Sequence, residues 1–84
     1  MLLNQIEEKI FVEGIAQNPY NYGNLTTPVY QDSIEEFVEM DDRLIPNHVN
    51  SLIKKGLVSV DEDYVWLTTK GVKYYNDIFQ LKCA

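Results

Sequence analysis

Leu3, Ile6, Ile10, Phe11 and Ile15 recur at the three- and four-residue spacing of a single helix face, while Glu7, Glu8 and Glu13 fall mostly opposite. The spacing predicts an amphipathic helix over residues 2–16. Asn18-Pro19 would end it, because the residue before proline is driven out of the α region. Residues 17–31, rich in Asn, Tyr, Thr, Pro and Gly, read as a connector long enough to expect local structure or a role of its own. Within it, Thr26–Tyr30 suits a short strand that Pro28 would confine to a sheet edge.

Asp32-Ser33-Ile34-Glu35 has the form of a capping box, so a short helix is expected to about Met40, burying Ile34, Phe37 and Val38. Asp41-Asp42-Arg43 breaks it. Pro46 fits the first turn of the next helix, since it brings no N–H to leave unpaired. That helix runs to Lys55, and Gly56 offers a left-handed C-cap. Leu57–Val60 and Tyr64–Leu67, flanking Asp61-Glu62-Asp63, form a hairpin pattern. Thr68 can cap a last helix to about Leu81, with Val72, Tyr75 and Phe79 as its apolar stripe and Tyr74, Ile78 and Leu81 beside it.

Residues 1–84 are expected to form one domain, with enough apolar residues (45%) for a core. The lone Cys83 provides neither a disulfide framework nor a thiolate zinc site, and it fits a reducing compartment. The N-terminus lacks the basic, uninterrupted apolar form of a signal peptide, and no stretch suits a membrane span. These features imply a cytoplasmic protein. Residues 1–42 carry a net −8 and residues 43–84 a net +2, so any surface for nucleic acid must lie in the second half.

Helix, connector, short helix, break, helix, hairpin, helix is the order of a winged-helix domain. Val49-Asn50-Ser51-Leu52-Ile53-Lys54-Lys55-Gly56-Leu57-Val58 resembles the end of the recognition helix and entry to the wing in MarR-like and PadR-like regulators. Leu67-Thr68-Thr69-Lys70-Gly71 resembles the step by which those families leave the wing. The resemblance covers about residues 34–75. It implies an α+β winged helix-turn-helix: a three-helix core, a short hairpin wing and a C-terminal helix. The chain departs from the MarR-like pattern in its short length and its short, acidic wing.

Ile45, Val49, Leu52 and Ile53 share one face of the helix at 46–55; Asn47, Asn50, Ser51 and Lys54 share the other. The resemblance implies a transcriptional regulator that places this helix in the major groove of double-stranded DNA, as a homodimer. Asn47, Asn50 and Ser51 would read bases, while Arg43, Lys54 and Lys55 would hold phosphates. Tyr74, Tyr75, Ile78 and Phe79 offer more apolar surface than a small core needs and suit an interface. The acidic first half and wing tip support a second reading: a protein-interaction module, an adaptor or an inhibitor of a nucleic-acid-binding partner.

Other chemistry finds little footing. His48 is the sole histidine and has no ligand-spaced companion, so no metal or nucleophilic site is expected. The pairs Glu7-Glu8, Glu35-Glu36 and Asp41-Asp42 read as solvated helix faces or turns, and no glycine-rich phosphate loop is present. No cofactor and no enzymatic activity are expected.

Overall fold

The computed structural model describes residues 3–38, 40 and 43–83, the last five by backbone only. Asp41, Asp42 and the side chain of Phe79 therefore lie outside the described residues. The chain is an α+β fold. Helix α1 (Gln5–Lys9) continues into a π-helical stretch (Ile10–Ala16); strand β1 (Val29–Tyr30) follows, then helices α2 (Ile34–Phe37) and α3 (Ile45–Lys54). A hairpin of β2 (Val58–Asp61) and β3 (Tyr64–Leu67) leads to helix α4 (Thr69–Cys83). The three strands form an antiparallel sheet in the order β1-β3-β2, with Val29 opposite Val65 and Val58 opposite Leu67. The short strand expected next to Pro28 is therefore present, at the edge.

Helix α1 begins with a capping box the reading above did not anticipate. The Asn4 side chain accepts from the Glu7 N–H, and the Glu7 carboxylate accepts from the Asn4 N–H. The box expected at Asp32–Glu35 does not form. A 3-10 turn (Gln31–Ser33) takes up Asp32 ahead of α2, and Ser33 donates its hydroxyl to the Tyr30 carbonyl instead of capping. Helix α2 also ends early, because Val38 is extended.

The π-helical stretch widens the helix by one residue per turn, as in the Gln17 N–H donating to the Val12 carbonyl. It brings Gly14 so close to α2 that a Cβ there would lie 2.8 Å from Ile34 Cγ2. Two buried amides complete the hydrogen bonding where the helix ends. Asn18 donates to the Gly14 carbonyl and to Ser33 Oγ, and Asn21 donates to the Ile15 and Ala16 carbonyls. The connector thus has the local structure its length suggested.

The core lies where the first helix, α2, α3 and the inner face of the sheet meet: Ile10, Phe11, Ile34, Leu52, Leu57 and Val65 are fully enclosed. Helix α3 closes as expected. Gly56 (φ 77°) donates to the Ile53 carbonyl and Leu57 to the Leu52 carbonyl, the paired bonds of a Schellman motif. Thr68 caps α4 by accepting from the Gly71 N–H (3.0 Å), while its hydroxyl donates to the Gly56 carbonyl (2.6 Å). Gly71 has no substitute here: a Cβ would sit 1.9 Å from the Leu57 carbonyl oxygen. The Leu-Thr-x-x-Gly wording of residues 67–71 therefore has a direct steric cause.

Candidate functional site

Helix α3 presents its polar side as expected only in part. Ile45, Val49 and Leu52 are buried, and Asn47, Asn50 and Lys54 are exposed. Ser51 and Lys55 are drawn back against α1. The Ser51 hydroxyl donates to Glu7 Oε2, and the Lys55 ammonium donates to both carboxylate oxygens of Glu7 at 2.9 and 2.8 Å. Those contacts, Lys55 foremost and then Ser51, hold the Glu7 carboxyl down at about pKa 2 against its own burial.

Glu7 corrects the reading of the first helix. It is 4% exposed, whereas Ile6, assigned to the apolar face, is 44% exposed. Ile10, Phe11 and Ile15 are buried as expected and Leu3 packs against the core, but Glu7 takes the enclosed place expected of Ile6, and Gly14 and Ala16 join the buried side. Glu7 is not part of a solvated acidic face. The available signal was the Asn4-x-x-Glu7 capping spacing; its partners, 44 and 48 residues away, leave no local trace.

Of the other cations expected to hold phosphate, Arg43 is exposed and already has a partner. The Lys70 side chain packs over Gly56, beside the carbonyl end of α3, where a positive charge is favoured. The hairpin tip exposes Asp61, Glu62 and Asp63, with Glu62 in the left-handed region (φ 54°). The tip does not project freely. Gln31 fastens it to the connector, its N–H donating to the Asp63 carbonyl (2.7 Å) and its side-chain amide to the Glu62 carbonyl (3.1 Å).

The tyrosines of α4 have contacts within the chain. Tyr74 meets Phe11 edge-on at 5.8 Å, Tyr75 accepts from the Gln17 amide at 3.1 Å, and both are half-buried against the core. That packing accounts for part of the surface assigned to an interface; Ile78 remains half-buried beside it. His48 is half-buried within α3. No cluster of His, Cys, Asp and Glu able to hold a metal occurs among the described residues, and no described helix is long and apolar enough to cross a membrane. No protein-family model, curated protein or solved structure matches the chain.

Proposed function

We propose that this chain is an acidic winged helix-turn-helix module that engages a protein partner in the cytoplasm and does not itself read DNA. The winged-helix reading draws on the element order, on α3 leading directly into the hairpin, and on the third strand that the connector lends to the sheet. The observation that carries the functional reading is the Glu7 carboxylate, which holds Ser51 and Lys55 on the side of α3 expected to face a duplex. It removes one candidate base reader and cancels one phosphate-binding charge. The whole chain carries a net charge of −6, and three carboxylates stand at the tip that would approach phosphate.

The DNA-binding reading retains one specific support: Asn47, Asn50 and Lys54 are exposed at i, i+3 and i+7 of α3, and Asn can pair bidentately with adenine. Titrating a mixed-sequence duplex into isotope-labelled protein at two salt concentrations separates the two. The partner reading expects the amide signals of residues 43–55 to stay in place at low salt. Shifts there, with affinity falling steeply as salt rises, would overturn it in favour of a regulator.

A further inference from the structure

An open groove of about 550 Å³ lies between the connector, the hairpin and the start of α2. Four tyrosines line it: Tyr20, Tyr22, Tyr30 and Tyr64. Tyr30 and Tyr64 stack with ring centroids 4.7 Å apart, across the register that pairs β1 with β3, and the Tyr64 hydroxyl donates to that of Tyr30 at 3.1 Å. Tyr20 leans edge-on against Phe37 and donates to Glu36 at 3.1 Å. Tyr22 stands 90% exposed on a backbone with φ 55°, a conformation bulky residues seldom take. That left-handed residue closes the 3-10 turn Pro19–Asn21, its N–H donating to the Pro19 carbonyl, and leaves the ring in solvent at the edge of the groove.

The charge of the groove has one sign. Asp32, Glu35 and Glu36 line it, and among the described residues no lysine or arginine does. A second depression, of about 320 Å³, shares Asp32 and Glu35 with it, so these two carboxylates form a ridge between two hollows, the second lined also by Gln31, Ile45 and Pro46. Aromatic faces attract cations, guanidinium above all, and carboxylates supply the counter-charge. Two hollows separated by an acidic ridge match an extended chain better than a single ion.

We propose that this groove is the docking site for an extended, arginine-bearing segment of a protein partner, with guanidinium groups stacked on the tyrosine rings and paired with Asp32, Glu35 and Glu36. The proposal rests on the partner reading above and gives it a location and a chemistry.

The test titrates a capped octapeptide of alternating Arg and Gly into the isotope-labelled full chain at low salt. Shifts should centre on residues 20–36 and on Tyr64, and the peptide with Glu in place of Arg should cause none. The triple variant Asp32→Asn, Glu35→Gln, Glu36→Gln should weaken binding about tenfold, and Tyr30→Ala should weaken it severalfold. Neutralising the tip (Asp61→Asn, Glu62→Gln, Asp63→Asn) should weaken it less than the triple variant does, since those charges act on the peptide only from outside the groove.

Absence of binding would overturn the proposal. So would equal affinity in the triple variant, shifts centred on the tip, or arginine amide binding as tightly as the octapeptide. A concentration-dependent dimer broken by the triple variant would assign the groove to a second copy instead. The duplex titration fails separately: DNA on α3 removes the partner reading whatever the peptide does, whereas a silent groove beside a silent α3 removes only this proposal.

Discussion

Glu7 and Glu35 both occupy the first turn of a helix, and they lead opposite existences. Glu7 is enclosed and paired with a lysine and a serine from α3; Glu35 is exposed on the rim of a groove that no cation lines among the described residues. The same side chain in the first turn of a helix, at N3 in one case and N2 in the other, thus becomes a structural tie in one region and a solvated surface charge in the other. What separates them is whether the fold brings a counter-ion. The acidic balance of the first half is therefore only partly available to partners.

Removing the counter-ion from the enclosed site should have the largest effect. Lys55→Met leaves the Glu7 carboxylate buried without its cation and should cost about 3 kcal/mol in urea denaturation at neutral pH. A loss below about 0.5 kcal/mol would mean that the two carboxylates are not different in kind. The second test uses pH. The folded-state pKa of Glu7 lies below its ordinary value, so its contribution is fully present above pH 4.5 and disappears as pH falls towards about 2. Wild type should lose about 2 kcal/mol more than Glu7→Gln across that window; parallel curves would remove the ion pair as a source of stability.

Effects in the groove should be smaller and opposite in sign. Tyr22→Gly relieves a left-handed aromatic residue without uncovering core and should stabilise by about 0.5–1 kcal/mol in the same assay. Back at the enclosed site, Glu7→Gln frees Lys55 and Ser51, and should give weak low-salt binding of duplex DNA by fluorescence anisotropy where wild type shows none. No binding by the variant would show that Glu7 is not what closes the α3 face. The smallest effect is expected for Glu35→Gln, within about 0.5 kcal/mol of wild type.

The parts of the fold legible in the sequence are those written by local stereochemistry. Pro28 marked an edge strand, Gly56 a left-handed helix end, and Thr68 a cap, because each of these residues acts on backbone within a few positions. Periodicity found α3 for a similar reason. On the first helix it found Ile10, Phe11 and Ile15 but misplaced Ile6, where a partnered carboxylate, Glu7, takes the enclosed position. It also offered a cap at Asp32 and missed one at Asn4, since both spellings satisfy the rule and only packing chooses between them. The candidate site was legible residue by residue along α3, but its state was not, because Glu7 reaches it from another helix. The groove was invisible as a unit: its tyrosines come from three separate stretches that meet only when β1 pairs with β3.

Thr68 and Gly71 fasten the exit of the hairpin to its entrance. One hydroxyl bridges Gly56 to the first turn of α4, and a backbone oxygen fills the space a side chain would have needed. The base of the ribbon is therefore laced shut, and α4 cannot peel away without loosening the end of α3. Amide protons at Leu57, Thr68 and Gly71 belong to one cooperative unit, and they should exchange with solvent together, through the same opening event.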